Sequence, residues 1–150
     1  MGSSSEHNED AGLSPADDEI NLKGRRVLVV EDDPLIAMLL VDMLEAIGCE
    51  IAAVASRLDD ALEKAQHLSF DLAVLDVNLE GANTFQVAEL LSKRAIEFVF
   101  ATGYGEAHLP ADLTYAPVLQ KPFVARDVAR ALRRAVASRP KARSGHMEAS

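Results

Sequence analysis

The chain has 150 residues, enough for one domain of ordinary size and too few for two. Hydrophobic residues make up 49% of it, which is not the composition of a globally disordered chain. The formal net charge of −9 and the lack of an extended basic surface argue against a nucleic-acid partner.

Cysteine content and hydropathy predict a reducing, aqueous setting. The single cysteine, Cys49, excludes an intrachain disulfide, and no secretory signal is recognisable. The longest aliphatic run, from Leu35 to Val41, is far shorter than the ~20 residues that a membrane span needs. We therefore expect a cytoplasmic protein that does not contact the membrane.

The ends of the chain differ in composition from its middle. Residues 1–22 are Ser-rich, lack hydrophobic periodicity and predict a disordered acidic tail. We place the domain at 23–138 and a flexible C-terminal tail at 139–150, of which residues 145–150 resemble a cloning scar, and part of Met1–Ser5 is also typical of a tag. The N-terminal tail has no Lys or Arg and carries six acids: Glu6, Glu9, Asp10, Asp17, Asp18 and Glu19.

Between the tails, five short apolar runs alternate with segments of helical periodicity. The runs are Arg26–Val30, Ile51–Ala55, Leu72–Leu75, Phe98–Ala101 and Pro117–Gln120. Such alternation predicts an α/β fold with a doubly wound, flavodoxin-like, five-stranded parallel sheet in the order 2-1-3-4-5. Weak periodicity and Pro110 before the fifth run predict that the fourth helix is short or irregular.

Short polar signals mark where the helices begin. Asp33 before Pro34 has the form of an N-cap followed by a first-turn proline. The stretch 56–59 (Ser-Arg-Leu-Asp) resembles a capping box, and Thr84 is placed to cap the next helix. The last helix, near residues 124–137, shows a basic face that is either solvated or docks an acidic partner surface.

Acidic residues follow two of the predicted strands at the point where each strand ends. Glu31 and Asp32 follow the first strand, with Asp33 next to them, and Asp76 follows the third. Strands one and three are neighbours in the predicted sheet, so their carboxylates crowd one another. Mg²⁺ prefers a few carboxylate oxygens, a carbonyl and several waters, which predicts a magnesium site here.

The other two strand ends supply groups that suit phosphoryl transfer. Thr102 follows the fourth strand and Lys121 the fifth. A carboxylate such as Asp76 can act as a nucleophile toward phosphorus. The oxygens of the transferred group then need a cation, an ammonium and a hydroxyl or N–H around them.

This set of residues resembles a response-regulator receiver domain over nearly all of residues 25–138. The resemblance rests on Glu31-Asp32, Asp76, Thr102 and the Lys121-Pro122-Phe123 turn. It implies that Asp76 is the phosphoacceptor, Thr102 the switch hydroxyl and Lys121 the site lysine, and that the Lys121–Pro122 peptide bond is cis.

The resemblance also implies the ligands of Mg²⁺. Asp32 is expected to bind the ion directly, together with Asp76, and Glu31 to act through water. The backbone carbonyl of Asn78 completes the set. The domain would be no enzyme toward other substrates, since it catalyses only its own aspartyl phosphorylation and dephosphorylation.

Two positions depart from the common receiver pattern. Val118 stands where an aromatic switch residue is usual, and we expect Tyr104 to take over part of that role. The Phe-Ala-Thr-Gly sequence at 100–103 resembles an alphaproteobacterial receiver subgroup associated with histidine kinases of the HWE type.

About a dozen residues follow the last predicted helix, too few for a helix-turn-helix, so we expect a stand-alone receiver. Its expected partner is a histidine kinase, of the HWE type, or a phosphotransfer protein, and its expected state is a monomer or weak dimer. It would signal by protein–protein contact or kinase feedback. The alternatives are a phosphate sink that drains a shared kinase and a docking module that works without phosphorylation.

Overall fold

The computed structural model of the protein describes residues 20–103 and 109–138. Most of the predicted N-terminal tail, the whole C-terminal tail and Tyr104 lie outside these ranges. Leu22, which the sequence placed at the end of the tail, is only 2% exposed and belongs to the core.

A five-stranded parallel sheet forms the centre of the fold. Its strands are β1 (Arg26–Val30), β2 (Glu50–Ala55), β3 (Leu72–Asp76), β6 (Glu97–Thr102) and β7 (Val118–Gln120). They lie in the order β2-β1-β3-β6-β7. Two further short strands, β4 (Asn78–Leu79) and β5 (Ala82–Asn83), pair as an antiparallel hairpin directly after β3. The predicted order 2-1-3-4-5 is confirmed, because the unpredicted hairpin stands outside the main sheet.

Helices cover both faces of the sheet, as the alternating pattern predicts. Successive residues of a strand point to opposite faces, so Val27 and Val29 belong to one core layer and Leu28 and Val30 to the other. The first layer is closed by α1 (Pro34–Ile47) and α4 (Ala125–Ala137), and the second by α2 (Leu58–His67) and α3 (Phe85–Lys93). β3 and β6 are buried along their whole length.

Between β6 and β7 the structure describes no α-helix, only a 3₁₀ turn at Ala111–Leu113 in the segment from 109 onward. The prediction of a short or irregular fourth helix is confirmed for these residues. Across residues 20–103 and 109–138, every helix is too short or too polar to pass through a lipid bilayer.

The helix-start predictions had different outcomes. Asp33 caps α1, because its Oδ1 accepts the N–H groups of Leu35 (2.9 Å) and Ile36 (3.3 Å). The capping box at 56–59 is wrong: α2 begins one residue later than that motif requires, with Arg57 at the N-cap and no side-chain cap. The Asp59 carboxylate instead accepts from the Arg57 guanidinium (3.4 Å) and the Asp60 N–H (2.7 Å).

Thr84 stands at the start of α3, but its side chain does not cap that helix. The hydroxyl is buried and donates to the backbone carbonyl of Asp76 at 2.7 Å. At the N-terminus of this helix, the side chain of Asn83 provides the acceptor instead: its Oδ1 accepts the Phe85 N–H at 3.1 Å. The predicted cap is therefore wrong, and Thr84 instead fixes the main chain at the end of β3.

Replacing Thr84 by Val should destabilise the fold, because the valine leaves the buried Asp76 carbonyl without the hydroxyl donor. We expect the free energy of unfolding to fall by about 1–3 kcal/mol, as measured by urea denaturation. Thr84→Ser keeps the donor and removes one methyl, a loss of about 0.8 kcal/mol. A Thr84→Val variant as stable as the parent would show that the hydrogen bond contributes nothing.

Candidate functional site

The acids that follow β1 and β3 meet at one edge of the sheet. Ligand oxygens of Glu31, Asp32 and Asp76 all lie within 4.8 Å of one another. Glu31 is 2% exposed and Asp76 6%, whereas Asp32 is half-buried. The parallel pairing of Val30 with Leu75 brings the two strand ends together, as the predicted strand order requires.

Lys121 reaches this acidic cluster from the end of β7. Its Nζ lies 3.0 Å from Glu31 Oε1 and 3.2 Å from Asp76 Oδ2. The backbone places it there, because the Lys121 N–H donates to the Thr102 carbonyl at 2.8 Å. The Lys121–Pro122 bond that follows is cis, as the resemblance implies.

Burial raises the pKa of Glu31 to about 7, and the negative charge of Asp76 adds to the effect. The Asp33 N–H, 3.1 Å from Glu31 Oε2, and Lys121 oppose the shift by bonding to the carboxylate. Burial alone would lower the pKa of Lys121, but its ion pairs with Glu31 and Asp76 outweigh that cost and raise it. The charged form of Lys121 is thus favoured, whereas burial favours the neutral form of Glu31 in spite of its contact with the lysine.

The hairpin after β3 presents Asn78 to the phosphoacceptor candidate. The Asn78 N–H donates to Asp76 Oδ1 at 3.2 Å, and Asn78 Oδ1 accepts the Gly81 N–H at 2.7 Å. Glu80 and Gly81 both have positive φ values, 51° and 93°, which form the turn. The backbone of Asn78 is therefore held beside Asp76, while the metal-binding role of its carbonyl stays a prediction.

Two of the three switch candidates, Thr102 and Val118, lie among the described residues. Thr102 ends β6, is 4% exposed and donates through Oγ1 to the Gly103 carbonyl at 3.0 Å. Val118 pairs with Phe100 on the edge strand and is 46% exposed, so it is not part of the acidic cluster. Tyr104 falls outside the described residues, so its proposed aromatic role stays a prediction.

The residues that the structure brings together are those singled out by the strand ends: Glu31, Asp32, Asp76 and Lys121. Sequence reasoning assigned Thr84 to a helix cap and missed its contact with the main chain of Asp76, which helps to fix the end of β3. A threonine before a helix is normally a cap, so no local signal distinguishes this longer-range bond.

The donor set fits a hard divalent cation such as Mg²⁺. Three carboxylates converge, and no His or Cys of the described residues joins them. Oxygen-only ligands are what Mg²⁺ prefers, whereas zinc sites are typically built with nitrogen or sulfur. Because Lys121 brings one positive charge to three acids, the cluster retains an excess of negative charge that a cation would neutralise.

A family model described as the response regulator receiver domain matches residues 27–133. The transcriptional regulatory protein PdtaR of Mycobacterium tuberculosis is 34% identical over 116 residues, which cover 75% of this chain and 57% of PdtaR. The chain therefore spans little more than half the length of this curated relative.

Two solved receiver structures show the same fold. The solution structure of SdrG from Sphingomonas melonis Fr1 is 40% identical with a TM-score of 0.69, over 75% of this chain and 97% of SdrG. The receiver domain of PhyR from Erythrobacter litoralis is 28% identical with a TM-score of 0.67, over 77% of this chain and 92% of that domain. With the family model matching most of its length, the chain belongs to the response regulator receiver family.

Proposed function

We propose that this receiver accepts a phosphoryl group from a phosphohistidine onto Asp76. The supporting observation is the contact of Lys121 Nζ with Asp76 Oδ2 and Glu31 Oε1 inside a buried acidic cluster. A structural salt bridge alone needs one acid, whereas this cluster gathers three acids, two of which contact the lysine. An excess of buried carboxylates is the arrangement expected where a cation and a phosphoryl group are to be held.

In the proposed reaction, a carboxylate oxygen of Asp76 attacks the phosphorus atom. The P–N bond to the donor imidazole breaks, and its electron pair leaves with the histidine. Lys121 offers its ammonium to the phosphoryl oxygens, and Thr102, one residue past the β-partner of Asp76, offers its hydroxyl. Mg²⁺, held by Glu31, Asp32, Asp76 and the Asn78 carbonyl, would supply positive charge to those oxygens.

The phosphoryl group leaves again by hydrolysis. Water attacks phosphorus, the P–O bond to Asp76 breaks, and inorganic phosphate and the free carboxylate result. The domain thus catalyses its own phosphorylation and dephosphorylation and acts on no other substrate.

The proposed donor is a histidine kinase of the HWE type or a phosphotransfer protein in the cytoplasm. The Phe-Ala-Thr-Gly sequence and the likeness to SdrG and PhyR support this choice. We propose that the protein is a monomer or weak dimer, does not bind nucleic acid, and signals by protein–protein contact or kinase feedback. A phosphate sink would instead need no partner selective for the phosphorylated form.

Asp76→Asn should abolish phosphorylation, because the amide cannot act as the nucleophile. The test is intact-mass spectrometry after incubation with Mg²⁺ and phosphoramidate, a small donor that carries a P–N bond. We expect the parent chain to gain one phosphoryl group and the variant none. Asp42→Asn, which changes an exposed acid on α1, is the control and should be labelled like the parent. Undiminished labelling of Asp76→Asn would assign the reaction to another acceptor.

Beryllofluoride with Mg²⁺ should imitate the phosphorylated state at Asp76. We expect the amide resonances from Thr102 to Ala116 to shift, because the bound group draws the Thr102 hydroxyl toward it. The Asp76→Asn variant should show no such shift. An unchanged spectrum of the parent would contradict the proposed switch.

A pull-down with and without beryllofluoride would separate an effector from a phosphate sink. An effector should capture a partner only in the presence of beryllofluoride, whereas a sink needs no such partner.

Stability without a divalent cation should depend on the ionisation of Glu31. Its pKa is about 7 in the fold against an ordinary value of 4.5. Between these values the unfolded chain releases a proton that the folded protein keeps, so the free energy of unfolding falls as the pH rises from about 4.5 to about 7.

This pH dependence is measured by thermal unfolding in EDTA, with Glu31→Gln as the control that removes the titration. We expect Mg²⁺ to raise the midpoint more at about pH 8 than at about pH 5, because the proton on Glu31 competes with the cation. Identical pH profiles for the parent and Glu31→Gln would contradict the assignment.

A further inference from the structure

Helix α4 carries a run of arginines whose charge the receiver chemistry does not use. We call this surface the arginine face: Arg126, Arg130, Arg133 and Arg134. None of the ion pairs found among the described residues includes these four side chains. The single acid of the helix, Asp127, is engaged at its start, where the carboxylate accepts the Val124 N–H at 3.0 Å.

Two of these guanidinium groups are partly withdrawn from water. The Nε atoms of Arg130 and Arg133 are shielded from solvent, and neither has a hydrogen-bond partner in the part of the chain that the structure describes. Shielded polar atoms in native proteins normally have partners. If the two guanidinium groups turn outward, acceptors from outside residues 20–103 and 109–138 can bond to them.

A groove runs between the arginine face and the edge of the sheet. It has a volume of about 380 Å³ and is lined by Val118 and Gln120 of β7 and by Asp127, Arg130 and Arg134 of α4. β7 pairs only with β6, so its outer edge is open within the described sheet. Open strand edges are normally covered or protected.

The chain itself carries a segment of the opposite charge. Residues 6–19 hold six acids and neither Lys nor Arg. Ile20, which follows this segment, packs against the same core layer as Val136 in the last turn of α4. The segment therefore joins the fold on the side of the sheet that α4 covers.

The acidic segment is also long enough. At about 3.3 Å per extended residue, the 14 residues from 6 to 19 span up to roughly 45 Å. Helix α4 has 13 residues and is about 20 Å long. The segment can thus follow the whole arginine face.

We propose that the acidic segment 6–19 docks on the arginine face and along the adjacent β7 groove of its own chain. Its carboxylates accept hydrogen bonds from the guanidinium groups, including the shielded Nε atoms, and the backbone covers the open edge beside Val118. The contact is electrostatic and half-exposed, so salt weakens it. An acidic surface of another protein would have to displace the segment to reach the same arginines. This inference does not depend on phosphorylation of Asp76.

The first test compares charge variants of the full chain by NMR of the arginine Nε–H groups. One variant neutralises four acids of the segment: Asp10→Asn, Asp17→Asn, Asp18→Asn and Glu19→Gln. The control removes the same number of charges at exposed sites of other helices: Asp42→Asn, Glu45→Gln, Glu63→Gln and Glu89→Gln. We expect the Nε–H resonances of Arg130 and Arg133 to move in the first variant and to stay in the control.

Raising the salt from about 20 mM to about 0.5 M should move the parent resonances in the same direction and leave the segment variant unchanged, because the Debye length falls from about 20 Å to about 4 Å. Identical arginine resonances in the parent and the segment variant would overturn the proposal.

The second test identifies which chain supplies the segment. A nitroxide is attached to Ser14→Cys in a Cys49→Ala background, and the amide signals of α4 are recorded. Broadening of Arg130 and Arg134 at low salt by about twofold or more, lost at high salt, is the expected result. A second sample mixes two chains: one carries the nitroxide but no ¹⁵N, and the other carries ¹⁵N but no nitroxide. This mixture should show no broadening. Broadening in that mixture would assign the contact to a second copy, and absence of broadening in both samples would exclude docking.

Discussion

The fold is organised around a charge imbalance at one edge of the sheet, where Glu31, Asp32 and Asp76 face a single ammonium. Burying Glu31 and Asp76 is unfavourable unless a positive charge lies close to both. Lys121 supplies that charge, at 3.0 Å and 3.2 Å. Because these groups come from β1, β3 and the end of β7, the cluster exists only when the parallel sheet is assembled in its observed order.

A layer of backbone hydrogen bonds keeps these groups in place. The Thr84 hydroxyl holds the Asp76 carbonyl, and the Thr102 carbonyl holds the Lys121 N–H. The Asn78 N–H meets the Asp76 side chain, and the Asp33 N–H meets that of Glu31. Apart from the Glu31 carboxylate, these donors and acceptors lie in the main chain or in a short side chain, so short bonds fix the backbone from which the cluster extends. Rigid support of this kind is what a site needs when charge must be held without rearrangement.

The sequence predicted the sheet and the cluster because both depend on patterns that span several residues. Apolar runs such as Leu72–Leu75 indicate buried strands, and an acid directly after such a run must lie at the sheet edge. The details it did not predict depend on contacts between distant residues or on single-residue boundaries. A hydroxyl in the position of Thr84 suits a cap as well as a bond to Asp76, and the start of α2 differs from the capping motif by one residue. The hairpin after β3 depends on positive φ values at Glu80 and Gly81, of which only the glycine is visible in the sequence.

If the proposed switch operates, a valine at position 118 limits how the site can communicate with the surface. An aromatic side chain can rotate between buried and exposed positions, whereas valine has no ring to move. Among the described residues, a backbone route links the site to this edge of the sheet: Thr102 pairs with Gln120, its carbonyl accepts the Lys121 N–H, and Phe100 pairs with Val118. Any displacement of Thr102 toward Asp76 must therefore change the ladder between β6 and β7. Because β7 is an edge strand with only three residues, it is the part of the sheet that can follow such a change at the lowest cost in hydrogen bonds.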